Sequence, residues 1–585
     1  MHYLSLDYLI VYAFLLITLY IGLRASRGIK DIREYAVGDR GLGTGVLLLT
    51  FMATNLGGAS IIGTTSNVFQ DGVVMIAALS GVAISMLMIN FLVVPHVGRF
   101  STAITAGDVM GHLYGSYSQL LTGVLGVLYA ISMVSLELTI LGELSESLFG
   151  LKAAWTIVIA GMLLALYTAH GGIKSVTATD VFQFLVLCIM LPYIASMSIK
   201  EVGSLSDVFS KTPSTHFNVF SRPDFSFYLT LFLMWSIFPV GLTSPAIFQR
   251  LLMARSVSDL RRQYFIAAAF DPLVQVTVML IGLAGVVLYP TVEAKEILPH
   301  IIMKLLPVGI KGVAMAGLVA VIMSTADSYL HSAGLLLVHD VAAPISRNLG
   351  GDINELRWVR YATVSLGLFA VLISLRPIGL IEYSFAAMRF TGPVLLFPLI
   401  MGIAGVKPDK RDFYTAMAVT LVIFVLLRLT LSANQSHLSV LISLLVNGLV
   451  FSGMHVVRHK GFVIVKNRGA QEILWLPQKK HWVTRLKSLF IRPKAILQYS
   501  QNSVAKYGAS YVLFGAFCCI NFTFPYFMWT DKVPHAHDLV SYSRLAAATM
   551  CGLLIVKEKW PSSYYPIFPP FGTLLCSTAC LLPVR

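Results

Sequence analysis

Apolar stretches of about 20 residues, the length that spans a bilayer, recur almost end to end along this chain. A chain patterned in this way folds as an all-α polytopic membrane protein. The rest of the composition agrees. Of 585 residues, 56% are hydrophobic and 12% charged, against about 25% charged in soluble domains. An ordinary soluble enzyme, a disordered chain and a fibrous repeat are all excluded. The 45 Gly and 24 Pro fit, because membrane helices tolerate both when neighbours satisfy the freed backbone groups. The net charge of +15 is read as positive loops held on the cytoplasmic side, not as a nucleic-acid surface. The six Cys lie in apolar runs without metal-ligand spacing.

The first apolar run covers about 7–23 and is followed by Arg24, Arg27, Lys30, Arg33 and Arg40. It is too long for a signal-peptide core, and the basic cluster places the N-terminus outside. Further spans are predicted at 44–67, 72–95, 117–148, 153–170, 181–199, 226–248, 264–289, 308–340, 357–375, 381–405, 413–431 and 438–457, thirteen in all. One parity then fits the chain. Arg99, Lys174, Arg250, Arg255, Arg261, Arg262, Arg347, Arg357, Lys407, Lys410 and Arg411 fall in cytoplasmic loops. After residue 457 the composition shifts: 458–506 carries eleven Lys/Arg against the single acid Glu472. This reads as a cytoplasmic linker drawn to anionic lipid. A hydrophobic block of about three more membrane helices follows at 507–585. The expected domains are therefore 1–457, 458–506 and 507–585, in a multi-pass protein of the cell membrane.

Four segments carry chemistry. The second span reads TFMATNLGGASIIGTTSN, with Gly57, Gly58 and Gly63 amid Thr54, Asn55, Ser60, Thr64, Thr65 and Ser66. That density suits either close packing of small residues or a discontinuous helix whose freed carbonyls bind a cation. The segment YTAHGGIKSVTATDVFQF puts a Gly171–Gly172 turn before Asp180, which is either a helix cap or part of an ion path. The seventh span reads WSIFPVGLTSPAIFQRLLMARS and is interrupted by Pro239, Gly241 and Pro245. Interrupted spans five apart suit two matching repeats. The ninth span places Ser324, Thr325, Asp327, Ser328, His331 and Ser332 inside an apolar run. Its hydroxyls suit a hard cation, or bond back to their own helix. Asp327 needs a cavity or a partner, and His331, one turn on, is a candidate to pair with it.

No enzyme motif is present: no Walker loop, zincin motif or nucleophile elbow. The Arg-poor spans argue against a voltage sensor, and no filter-like loop suggests a channel.

On ordered motifs the chain resembles the sodium:solute symporter family over residues 1–457. They are DYLIVYAFLLITLYIGLRAS with EYAVGDRGLG, ATNLGGASIIG, GGIKSVTATDVFQ, QRLLMARS, MSTADSYL and TGPVLLFPLIMG. The resemblance implies a LeuT-type core of two inverted five-helix repeats, spans 2–6 and 7–11. It implies sodium-coupled symport of a small organic solute (an amino acid, a carboxylate or similar) by alternating access, with Na+ as coupling ion. Motif alignment places sodium ligands at the carbonyls of Ala53, Leu56 and Val321 and the hydroxyls of Ser324 and Thr325. Asp180 falls on the sodium path. The expected solute lining is Asn55, Gly57, Ser60, Gly241, Ser244 and Pro245. Asn55 stands where the proline branch has an acid, and the seventh span lacks the sugar branch's aromatic and amide residues, so neither solute carries over. The basic linker and C-terminal block, including RLAAATMCGLLIVKEKWP, resemble the membrane input region of symporter-like sensor histidine kinases. The alternative expectation is therefore a sensory input module with a histidine kinase or signalling partner. The bilayer and a small solute are the remaining expected partners.

Overall fold

The computed structural model describes residues 6–463 apart from 39, 221, 376–378, 433, 434, 436 and 462, with the backbone alone described for 379–388. Nearly all of the linker 458–506 and the whole block 507–585, with the signalling reading that rested on them, lie outside the described residues.

In chain order the helices are α1 (Leu6–Ala25), α2 (Ile32–Val37), α3 (Thr44–Asn55), α4 (Gly58–Asp71), α5 (Val74–Leu92), α6 (Ala106–Tyr114) and α7 (Ser116–Phe149). Then come α8 (Ala153–Val202), α9 (Leu205–Lys211), α10 (Phe225–Ser236), α11 (Pro245–Met253), α12 (Val257–Leu288) and α13 (Ile297–Leu305). The last six are α14 (Ile310–Leu335), α15 (Ala343–Asn348), α16 (Glu355–Ser374), α17 (Gly379–Ala404), α18 (Lys410–Thr430) and α19 (Leu438–His459). Each of the thirteen predicted spans of 1–457 coincides with one of these helices, one arm of α8, or a broken pair. The short helices α2, α6, α9, α13 and α15 were not expected. They connect the spans and are capped by side chains where the sequence offers them, as Asp31, Thr105 and Ser204 do at α2, α6 and α9.

Two predicted spans appear as one 50-residue helix, α8, broken at Gly172 (φ 50°, ψ −149°). The break reverses the chain. Tyr167 and Thr179, on opposite sides of it, both donate to Asp327 Oδ2, at 2.9 and 3.4 Å. Twelve residues of straight helix would hold them about 18 Å apart. Only glycine reaches this conformation readily, and there is no room for a side chain: a β-carbon at Gly172 would lie 2.8 Å from the Tyr35 carbonyl oxygen.

At the centre is α14. It is buried along nearly its whole length, whereas α18 at the rim is mostly not. It packs on α7, α8, α1, α16, α3 and α11. Its first turn is capped from the far end of the sequence: Asp7 Oδ1, on α1, accepts from Gly309 N at 2.7 Å and Gly312 N at 2.8 Å. α18 and α19 pair with each other and pack on α17, with further contacts from α18 to α6 and from α19 to α10.

Two assignments are corrected. Lys174 does not lie in a loop: it is on α8, just past the break at Gly172, and is buried. Nor does Arg250 lie in a loop. It is on α11, inside the second half of the broken span, and is fully buried. Counting basic residues between spans misreads a half-helix that ends inside the protein.

Replacing Gly172 by Ala should destabilise the fold by more than the about 1–2 kcal/mol of a left-handed residue alone, because Tyr35 must also move. Gly28, at φ 89° with nothing within 4 Å, provides the comparison. In detergent, Gly172→Ala should lower the melting temperature clearly more than Gly28→Ala does; equal shifts would refute the packing argument.

Candidate functional site

The site grows from the break between α3 and α4. The two helices form one bent span, with 55° between the halves. Leu56 and Gly57 separate them, with Leu56 capping α3 through its N–H on the Met52 carbonyl, 2.9 Å. The glycines serve close approach, not unusual φ. A β-carbon on Gly57 would lie 2.5 Å from Glu137 Oε1 and 2.7 Å from Thr325 Oγ1, and one on Gly58 2.5 Å from Ile322.

Opposite the break, α14 presents its two hydroxyls. Ser324 Oγ donates to the carbonyls of Ala53 (3.1 Å) and Val321 (2.9 Å). Thr325 Oγ1 lies 3.4 and 3.3 Å from the same two oxygens. The reading in which these hydroxyls bond back to their own helix holds, and they also cross to the Ala53 carbonyl of α3. Four oxygens of two helices thus converge in a buried spot, the neutral donor set that a hard monovalent cation takes. Ala53, Val321, Ser324 and Thr325 are brought together, and Leu56 lies buried at the adjacent break.

One turn along α3, the oxygens give way to a charged network. Asp180 is fully buried and accepts from Thr50 Oγ1 and, at 3.2 Å, from Arg250 Nη2. Arg250 also donates to Ser328 Oγ on α14 and to the Ala246 carbonyl, 3.2 Å. Ser328 Oγ in turn lies 3.1 Å from Thr54 Oγ1. The network therefore ties α3, α8, α11 and α14 together immediately beside the oxygen cluster. Asp180 is no helix cap, since α8 runs through it. The Asp327–His331 pairing is not seen. Asp327 takes Tyr167 and Thr179, while His331 Nε2 sits 3.5 Å from the Ala36 carbonyl and its ring packs on Tyr35 at 5.1 Å. Helical spacing allowed the pair, and partners from α8 and α2 replaced it.

The expected solute lining divides. Gly57 and the half-buried Asn55 and Ser60 lie at the α3–α4 break. Asn55 Nδ2 donates to Asp271 Oδ1 on α12 at 3.4 Å. Gly241, between α10 and α11, has open space where a β-carbon would be. Ser244 is committed to structure: it caps α11 ahead of Pro245 and its Oγ lies 2.9 Å from Tyr329 Oη. Pro245 lines a small cavity with Thr122, Gly126, Gln249 and Thr391. Three site groups escaped the sequence reading. Arg250 was counted as a loop residue. Glu137 and Asp271 were passed over, although each is an acid inside an apolar run, the signal that singled out Asp327.

Residues 35–422 match the sodium:solute symporter family. The sodium/proline symporter of Staphylococcus aureus is 23% identical over 416 residues, 67% of this chain and 80% of the relative. Its counterpart in strain JH9 is 24% identical over 417 residues, with the same coverage. Among solved structures, a Na+-coupled sialic acid symporter in a substrate-bound outward-open state superposes with a TM-score of 0.68 at 17% identity, covering 78% of this chain and 98% of that one. A nucleobase-cation-symport-1 family transporter, closed with bromovinylhydantoin bound, gives 0.50 at 16% identity, covering 73% and 95%. The chain belongs to the sodium:solute symporter family. It is a multi-pass membrane protein with the LeuT-type fold and performs sodium-coupled symport of a small solute.

Asp180 and Arg250 are both wholly buried. Removing one partner of such a pair leaves a bare charge and costs about 3–5 kcal/mol, whereas removing both costs much less. Asp180→Ala should therefore lower the melting temperature in detergent more than Asp180→Ala with Arg250→Met. A double variant at least as unstable as the single one would mean that the two charges do not stabilise each other.

Proposed function

We propose that the coupling sodium is held by the carbonyls of Ala53, Leu56 and Val321 and the hydroxyls of Ser324 and Thr325. The observation that carries this reading is the convergence of both α14 hydroxyls on the Ala53 carbonyl at the helix break. Sodium would take over the oxygens these hydroxyls now share, at the roughly 2.4 Å typical of hard cations on oxygen. It would fasten α3 and α4 to α14 and so favour one access state. Because binding free energies are linked, the solute must tighten sodium by the same factor by which sodium tightens the solute. Asp180, a turn away and restrained by Arg250, belongs to the path by which the ion leaves or arrives.

The solute is a small organic molecule held at Asn55, Gly57, Ser60 and Gly241, with Ser244 and Pro245 shaping the floor. The matched relatives are sodium/proline symporters, which makes amino acids the first solutes to try. The positive-inside rule places the N-terminus outside and the linker 458–506 in the cytoplasm. The family match ends at residue 422 and does not reach the segments that suggested a histidine-kinase partner, so transport is the reading favoured here.

The test is reconstitution into proteoliposomes with an imposed inward sodium gradient and a panel of radiolabelled amino acids, carboxylates and sugars. Accumulation should require sodium. Replacing Ser324 and Thr325 together by Ala should raise the half-saturating sodium concentration at least about tenfold, equivalent to about 1.4 kcal/mol. An unchanged sodium dependence in that variant would sink the proposed ligand set.

A further inference from the structure

Glu137 faces the helix break directly, and the oxygen cluster has no use for it. It sits on α7, 1% exposed. Its Oε2 accepts from the Gly58 N–H at 3.1 Å, in the first turn of the 14-residue half-helix α4. Among the described residues its Oε1 has no hydrogen-bond partner, although it is fully buried. That oxygen points toward the break: it is the atom a β-carbon on Gly57 would meet at 2.5 Å. No Lys, Arg or His pairs with Glu137 among the described residues, and the Arg250 guanidinium is committed to Asp180 and Ser328.

In transporters built on broken helices, the N-terminus of a half-helix is the place that receives an anionic group of the substrate, because its free N–H groups and dipole favour negative charge. Here the protein fills that place with its own carboxylate. An incoming carboxylate would meet another carboxyl group instead of free donors. The unpaired Oε1 asks for the opposite: a buried, unmatched carboxylate is costly in a membrane protein unless a cation joins it. The surroundings suit an organic cation. Tyr129, eight residues before Glu137 and about two turns away on α7, stacks on Tyr329 of α14 with ring centroids 5.9 Å apart. Aromatic faces attract ammonium groups. The space beside Gly241 is open.

From this the geometry points to a substrate class: a solute carrying a protonated amine or quaternary ammonium, whose positive nitrogen is received by Glu137 Oε1. The inference rests on the proposed solute site at the α3–α4 break and makes Glu137 its specificity-determining residue.

The test is a thermal-shift titration of the purified full chain in saturating sodium with matched probes. The pairs are choline against its neutral isostere 3,3-dimethylbutanol, prolinamide against tetrahydrofuran-2-carboxylate, and putrescine against succinate. In at least one pair the cationic probe should stabilise the protein at a half-saturating concentration at least tenfold lower than its partner. Glu137→Gln, which keeps an oxygen for Gly58, should shrink that ratio at least tenfold, and Glu137→Asp should retain part of it. The assignment is overturned if the neutral or anionic member binds as well in every pair, or if no cationic probe shifts the melting temperature while sodium does. It is also overturned if Glu137→Gln keeps the ratio and instead weakens sodium, which would put the carboxylate in the ion cage. Stabilisation by a cationic probe with no response to sodium would support the assignment and count against the sodium reading alone.

Discussion

Interrupting a helix inside a membrane exposes backbone groups that lipid cannot satisfy, and the α3–α4 break turns that penalty into a site. The α3 end offers the Ala53 carbonyl, which α14 meets with two hydroxyls. The α4 end offers the Gly58 N–H, which α7 meets with Glu137. The glycines at 57 and 58 let both neighbours come close enough. An acceptor and a donor of one broken strand of backbone are thus answered by different helices, and what happens at the break is felt by both.

Beside this neutral cluster lies a charged one. Asp180, Arg250, Ser328 and, on α3, Thr50 and Thr54 join four helices with no access to solvent. A buried ion pair adds little net stability over an apolar filling, yet it punishes any arrangement that separates its members. Placed where the halves of two broken spans meet α8 and α14, it restricts the relative positions these helices can take. A cation arriving next to Asp180 would compete with Arg250 for the carboxylate, and this gives the ion a means of acting on the helices around it.

Much of this was legible in the sequence, for a simple reason. Hydroxyls such as Ser324 and Thr325, and glycines such as Gly57 and Gly58, stand out in an apolar run because lipid-facing helices have no use for them. Span positions were legible because each is an apolar block bounded by loop residues. What stayed hidden depended on tertiary placement. Arg250 looked like a loop cation, since no periodicity separates a half-helix that stops inside the protein from one that emerges. Glu137, near Glu143 and Glu146 in LELTILGELSES, looked like one of several acids on a half-exposed helix. His331 had a helical neighbour of the right charge, but Tyr35 and Ala36, about 295 positions earlier in the chain, came closer.

The cap that Asp7 places on the first turn of α14 ties an outer helix to the innermost one. α1 is therefore an anchor line as well as a membrane span. α14 cannot slide along its own axis or swivel at that end without dragging α1 or releasing two hydrogen bonds. Engineering near residue 7, whether an epitope or a fluorescent fusion, would pull on the helix that bears Ser324 and Thr325.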